Sequence, residues 1–435
     1  MSHASGGLLA TLPRYQSADG LESSVWRLGP PGLEPGAVAA FLCHALPPGA
    51  SVFRGVHRVP GGLPRVRRGT GPGADLVNEY ALAERLLAAL MLTVSQHMTA
   101  GALDVSLSGG VDSAALCALA ARRAPGCVRA WTMDVHFADA TERRNARRVA
   151  SAAGVQLVDV AIPDRVLPEL FEPAVLSQET AILNARAVAS FAFYAEARRQ
   201  GATFLMSGAG ADEVLLGNPE ALTGTAARVA EDRRLAREVL RGGPVENLGM
   251  DHRALALPWD TRTGQDEEDH PEEVRYAAWV LRELVLPPEL RSAAAQGVSV
   301  RTPYLDTGFT EVALALPADV LARHGAGKWL FRHAVRALVP DAVRLARKTP
   351  RYAHTALSSP VRERWLELYR EWLTPSRLDP LEVIDPGAAR ALLERYTRLP
   401  VESAEAGAVD RLLMRLCSLA MLHARARARP PCPES

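Results

Sequence analysis

The stretch "LDVSLSGGVDSAALCALAARRA", residues 103–124, decides the fold. Its opening, "LDVSLSG", reads as a buried strand, and "DSAALCALAARRA" reads as a helix. Between them Ser108, Gly109 and Gly110 bring bare backbone N–H groups forward, and Ser113 opens the helix. A helix N-terminus carries the positive end of the dipole, so the loop is built to hold an anion. Asp112 in such a loop makes sense only if a cation accompanies the anion, most simply Mg²⁺ on a polyphosphate. There is no Gly-Lys-Ser/Thr, so this is not a Walker A loop.

Working outward, strands and helices alternate. "VRAWTMDV" is a strand, "TERRNARRVASAAG" a helix and "VQLVDVAI" a strand; then come a long helix "ETAILNARAVASFAFYAEARRQG" and a strand "TFLMSG". Strands separated by helices of this length predict βαβ units and a parallel sheet with helices on both faces. The predicted class is α/β, a parallel sheet with a largely helical C-terminal part and a small, irregular N-terminal region. Residues 1–73 are rich in Gly and Pro and form that region, with short strands such as "SVFRGVHRV". Residues 74–425 form the main domain and 426–435 a tail. The domain begins with "DLVNEYALAERLLAALMLTVSQHMTAG", a helix of about seven turns whose Leu76, Tyr80, Leu82, Leu86, Leu87 and Leu90 mark its apolar face. It ends with the amphipathic "VDRLLMRLCSLAMLHARARA". The run "DTRTGQDEEDHPEE" reads as a solvated acidic loop.

A second glycine loop, "LMSGAGADEVLLG" (residues 205–217), follows the strand "TFLMSG". Open α/β sheets bind ligands at the carboxyl ends of strands, so Ser207 and Gly208 face the same crevice and Asp212 supplies a second carboxylate for Mg²⁺. Composition adds an independent hint. Of 50 basic residues only Lys328 and Lys348 are lysine, and they lie in one segment, "GAGKWLFRHAVRALVPDAVRLARKTP". A drift toward arginine should spare lysine where a compact, titratable point charge is needed and a wide planar fork is not tolerated. Net charge is +1, which favours neither nucleic acid nor a membrane surface. The five cysteines are odd in number and form no CxxC pair, which fits a reducing cytoplasm with neither a disulfide framework nor a zinc site.

SGGxDS resembles the pyrophosphate-binding loop of the ATP pyrophosphatases, the adenine nucleotide α-hydrolase-like fold. Together with "TERRNARRVA", "LMSGAGADEVLLG", "GVSVRTPYLD" and "KWLFRHAVRALVPDAVRLARKTP", in that order over residues 75–425, it resembles the asparagine synthetase family. β-Lactam synthetases and lasso-peptide macrolactam cyclases are relatives. The resemblance implies ATP and Mg²⁺ as cofactors and a two-step reaction. A substrate carboxylate attacks the α-phosphate to give an acyl-adenylate and pyrophosphate; an amine then forms the amide and releases AMP. It implies that Leu107, Ser108, Met133, Ser207 and Gly208 line the nucleotide beside Gly109, Gly110 and Ser113. Asp112 and Asp212 would hold the metal. Lys328 would stabilise charge on the intermediate, and Lys348 would contact pyrophosphate.

Departures from the family narrow the expectation. Asparagine synthetases start with a glutaminase domain whose cysteine follows the initiator methionine; here the chain reads Met1-Ser2 and the earliest cysteine is Cys43. The amine is therefore expected from a source other than glutamine. Ala209 replaces the Glu or Tyr that helps activate the amine in relatives, leaving His324, His333, Glu179 and Glu213 as candidate bases. Ser299 stands where asparagine synthetases carry Glu. These features fit ring closure on a small molecule or peptide bearing both carboxylate and amine, in antibiotic-type biosynthesis. Lasso cyclases act with a leader-peptide protease and a recognition protein, which implies partner proteins. The competing readings are an intermolecular ligase using a second amine or free ammonia, and an inactive nucleotide-binding scaffold.

Overall fold

The computed structural model describes residues 14–47, 49–59, 79–99, 103–217, 221–242, 259, 272–323, 327–346 and 354–428. Strands β1 (Arg14–Ser17) and β2 (Gly20–Glu22), helix α1 (Pro35–Leu42) and strand β3 (His57–Val59) form the N-terminal module. Its three strands make an antiparallel sheet in the order β2-β1-β3. Helix α2 (Glu79–Thr99) follows. The 73/74 boundary and the start of the predicted seven-turn helix lie outside the described residues. Leu86 and Leu90 are buried on α2 as expected, but Tyr80 is exposed, and the buried stripe instead runs through Ala83, Thr93, Val94 and Met98. Tyr80 makes its contacts at the surface, edge-on to His333.

The main sheet is built from β4 (Asp104–Ser106), α3 (Val111–Arg123), β5 (Arg129–Asp134), α4 (Ala140–Ala153) and β6 (Gln156–Ala161). The chain then runs through α5 (Val166–Glu169), α6 (Phe171–Gln178) and α7 (Ala185–Arg199) to β7 (Phe204–Met206). The long helix predicted over residues 179–201 is present but starts six residues late, at Ala185. Glu179 adopts the left-handed conformation (φ 57°) and ends α6, and the Asn184 side chain accepts from Arg186 N to cap a new helix. After β7 come α8 (Ala211–Val214), α9 (Ala221–Val239), α10 (Glu272–Trp279), a six-residue π-helix (Val280–Val285), α11 (Leu286–Ala295) and a fifth strand, β8 (Ser299–Arg301). Three residues of "GVSVR" are too short to show a strand period in sequence, and β8 pairs with a strand 95 positions earlier, Phe204 facing Ser299. Most of the acidic run lies outside the described residues; its last two positions begin α10.

All pairings in the five-stranded sheet are parallel, in the order β6-β5-β4-β7-β8. The chain moves outward from β4 through β5 to β6, then returns to the other flank of β4 as β7. That reversal is a topological switch point, and the crevice beyond the carboxyl ends of β4 and β7 is where such sheets bind ligands. Beyond β8 the chain is helical, ending in a 24-residue helix, Ala404–Arg427, whose buried face joins the main apolar core. Among the described residues no helix is long and apolar enough to cross a membrane.

Candidate active site

Both glycine loops open into the switch-point crevice. Leu107, buried, continues the β4 ladder by donating its N–H to the Trp131 carbonyl (2.7 Å). The chain then turns through Ser108 and Gly109. Gly109 has φ +88°, and a Cβ there would lie 2.0 Å from the Glu142 carbonyl oxygen, so the first turn of α4 seats on bare backbone. Helix α3 begins at Val111 with Gly110 as its N-cap. Ser113 therefore does not open the helix but lies within its first turn, with its hydroxyl turned back under the loop. It accepts from Ser108 N (3.1 Å) and lies 3.1 Å from Ser108 Oγ and 3.2 Å from the Gly110 carbonyl. Its role is to brace the loop. Met133, half-buried near the end of β5, flanks the same crevice.

The second loop leaves β7 after Met206. Ser207 donates its N–H to the Arg301 carbonyl (2.8 Å), and its hydroxyl accepts from Ala209 N (3.3 Å). The two loops touch: a Cβ at Gly208 would stand 3.2 Å from Asp112 Cβ. Below them the ring of Tyr304, fully buried, donates its hydroxyl to the Asp112 carbonyl (2.9 Å). Helix α8 then carries Asp212 to the crevice.

Lys328 joins the loops. Its side chain is buried, and Nζ lies 2.5 Å from Asp112 Oδ2 and 2.8 Å from Asp212 Oδ1. Burial by itself would lower the pKa of this ammonium, but the two carboxylates outweigh it and hold the group above its ordinary value, so it stays charged. Its backbone is left-handed (φ 59°), an uncommon state for a non-glycine residue. The close approach depends on Gly217, where a Cβ would lie 2.1 Å from Lys328 Cε and 2.2 Å from Asp212 Oδ1. Arg332 follows on the helix Trp329–Ala334. It donates Nη1 to the Arg344 carbonyl and to that of Ala346 (3.2 Å), fixing the chain just ahead of the lysine-bearing stretch.

Two carboxylates focused on one cation are a hard-oxygen donor set that suits a divalent ion. The ammonium brings one positive charge against two negative ones, so a doubly charged ion fits this pair electrostatically. Mg²⁺ is thus compatible with the residues present.

Sequence reasoning overlooked Gly217 and Tyr304, whose contacts are long-range. It also overlooked a histidine–carboxylate pair at the same end of the sheet. His136, after β5, engages Asp164, after β6, through Nδ1, and His354 packs against His136 and Phe137 with ring centroids 5.7 and 5.2 Å away. Of the candidate bases, Glu179 is locked with Arg291 (2.6 Å) beneath the N-terminal module, and His333 is stacked on Trp329 at 6.0 Å. Glu213 neighbours Asp212 on α8. His324 and Lys348 lie outside the described residues. Ala209 is half-buried between the loops, whereas Ser299 is the first residue of β8, at the end of the strand away from them. Its difference from the family pattern thus falls outside the crevice.

Residues 85–424 match the family model described as asparagine synthase, a span that contains the whole five-stranded sheet, both glycine loops and Lys328. No curated protein matches the chain. A fold of the ATP-pyrophosphatase type and a family match over well over half of the sequence agree with one another: this chain belongs to the asparagine synthase family, whose members are ATP-dependent amide ligases.

Proposed function

We propose that the protein forms an amide by adenylating a substrate carboxylate, with ATP converted to AMP and pyrophosphate, and that its amine does not come from glutamine. The observation that carries this reading is the Lys328 ammonium set between Asp112 and Asp212, where one cation meets one carboxylate from each strand-end loop. The substrate carboxylate oxygen attacks the α-phosphorus and the bond to pyrophosphate breaks. An amine then attacks the acyl carbon, AMP leaves, and the amine proton passes to a base.

The N–H groups of Gly109 and Gly110 hold the polyphosphate beside the Ser108 hydroxyl, while the Ser108 N–H donated to Ser113 keeps the turn in shape. Leu107, Met133, Ser207 and Gly208 line the nucleotide. Asp112 and Asp212 would hold Mg²⁺, which would supply charge neutralisation on the phosphates. Lys328 stabilises negative charge at the reacting carbonyl and phosphate, where a fixed buried cation acts far more strongly than in water. Lys348 contacts the departing pyrophosphate. With Ala209 unable to take a proton, His136 is the base that the strand-end geometry adds. Its Nδ1 is held by Asp164, which leaves Nε2 as the acceptor.

Glutamine independence is supported by Cys43, which is fully buried and whose thiol pKa burial raises, the reverse of a reactive nucleophile. Ring closure on a peptide or small molecule in specialised metabolism, assisted by biosynthetic partner proteins, extends this reading. The test is nucleotide product analysis with Mg·ATP and pooled amino-carboxylates and peptides, beside a Lys328→Ala control. Substrate-dependent AMP and pyrophosphate, absent in the control, support the mechanism, and a dehydrated product mass identifies ring closure. ADP and phosphate overturn it.

A further inference from the structure

A second site lies between the N-terminal module and the synthetase domain. Its cavity measures about 90 Å³ and opens to the surface. Three observations set it apart. First, it lies at the functional end of the sheet. Helices α7 and α11 lead down into β7 and β8, so Leu183, just ahead of α7, and Pro287, in the first turn of α11, line the cavity on the side where the strands finish. Helix α10, whose Trp279 forms another wall, packs on α8, the helix that carries Asp212.

Second, uncommon backbone conformations gather here. Among the described residues five non-glycine residues have positive φ. Leu216 and Lys328 are at the acidic pair, His44 and Glu179 line this cavity, and the fifth, Glu382, is at neither. The π-helix Val280–Val285 supplies Arg282, Glu283 and Leu284 to the wall. π-Helical turns and left-handed non-glycine residues persist where function maintains them.

Third, the walls are cationic and apolar together. They carry the guanidinium groups of Arg58, Arg282, Arg291 and Arg415 against the carboxylates of Glu179 and Glu283. Glu179 faces Arg291 (2.6 Å), and Glu283 is shared by Arg58 and Arg282. Arg415 stacks 5.0 Å over Phe41 and donates to its carbonyl. Behind the wall, Asp232 meets His44 (3.1 Å) and Arg411 (2.8 Å), and Arg415 also lies in its field. Phe41, Phe53, Trp279 and Leu284 supply the apolar surface.

We propose that this cavity binds a carboxylate on a short aliphatic stem. On the reading of function above, this is a second, non-reacting acidic group of the substrate. Guanidinium forks match a carboxylate in geometry and charge, and the apolar wall takes the stem. A contact on a group other than the reacting carboxylate would orient the substrate and select among carboxylates.

The experiment is saturation-transfer NMR on the full chain without nucleotide, using butyrate and its neutral counterpart butyramide. Butyrate should bind saturably and butyramide should not. Arg58→Gln with Arg282→Gln should weaken butyrate about tenfold or more, as loss of charge-assisted bonds does. Ala50→Leu, which keeps every charge but fills the cavity, should abolish binding. Thermal shift with Mg·ATP confirms that each variant is folded. Equal binding of butyramide, or butyrate binding that survives Ala50→Leu, overturns the proposal, and the wild-type comparison stands even if a variant fails to fold. Because no nucleotide is present, failure of the adenylation reading would leave this result intact.

Discussion

Lys328 and Glu179 show how one structural device serves two ends. Each is a left-handed non-glycine residue whose charged side chain is buried in an ion-paired cluster. At Lys328 one ammonium is shared by two carboxylates whose side chains remain 20% and 25% exposed. At Glu179 one carboxylate takes Arg291, the Ser24 hydroxyl and the Val25 N–H, and the ion-paired side chains are only 4% and 5% exposed. The first cluster sets two carboxylates on one ammonium, with Arg332 also in their field, and has an open side through which a different cation can enter. The second is charge-matched, and its paired side chains are nearly fully buried in the wall of the N-terminal cavity. It clamps the N-terminal module to α11, and burial still raises the pKa of its carboxyl despite Arg291. Charge stoichiometry and access, rather than burial, separate a site for exchange from a fastening.

Glu179→Gln should break the fastening most severely. It leaves Arg291 buried without its counter-charge and should cost about 3–5 kcal/mol in chemical denaturation. A loss below about 1 kcal/mol would show that the clamp is looser than its geometry implies.

Lys328→Ala should do the converse, lowering adenylation about 10²–10³-fold while ATP still binds. The melting temperature of the variant should rise more with added Mg²⁺ than that of the wild type, because no ammonium then competes for the carboxylates. Lys328→Arg should not restore activity, since the space beside Gly217 is closed to a wider group. Near-normal turnover in either variant would sink the assignment.

A third carboxylate sharpens the contrast by having hydroxyl and amide donors in place of a paired cation. Asp410, fully buried, accepts from Tyr369 (2.9 Å), Tyr396 (2.5 Å) and Ala356 N (3.2 Å). Burial outweighs these bonds and pushes its pKa up from 3.8 to about 6. A raised carboxyl pKa means that the folded state holds the proton more tightly. The stabilisation is complete below pH 3.8 and is lost as pH rises through about 6. Relative to Asp410→Asn, the wild type should therefore lose about 3 kcal/mol across that window in denaturant titrations. A flat difference between the two would exclude the linkage.

Gly217→Ala should have the smallest effect, about 1–3 kcal/mol of overpacking against Lys328 and Asp212. Its activity loss should exceed that of an alanine at Gly242, where a Cβ meets nothing within 4 Å. Equal losses would show that the cradle is loose.

Much of this was legible in the sequence, because local signals carry it. The strand–glycine–helix pattern around Ser108–Ser113 identifies an anion loop by backbone geometry alone, and the alternation that follows defines a parallel α/β sheet. The scarcity of lysine singled out Lys328 before any coordinate. What escaped was long-range. Residues 179–201 read as one helix, whereas the helix starts only at Ala185, after the local N-cap Asn184, because Glu179 is pinned in the left-handed conformation by Arg291, Ser24 and Val25. β8 escaped because three residues carry no period. Gly217 read as a loop glycine, and nothing local announces that a lysine 111 positions away must pass beside it.

The sequence by itself determined the family, the two loops and the groups that carry charge, since these rest on residue type and short spacing. Only the tertiary structure decided that Asp112 and Lys328, 216 positions apart, share one ion pair, and that the N-terminal module closes a cationic cavity at the same end of the sheet. The reason is physical: backbone preferences act over a few residues, whereas Coulomb interactions and packing act through space and become strong only once the sheet has gathered its strand ends.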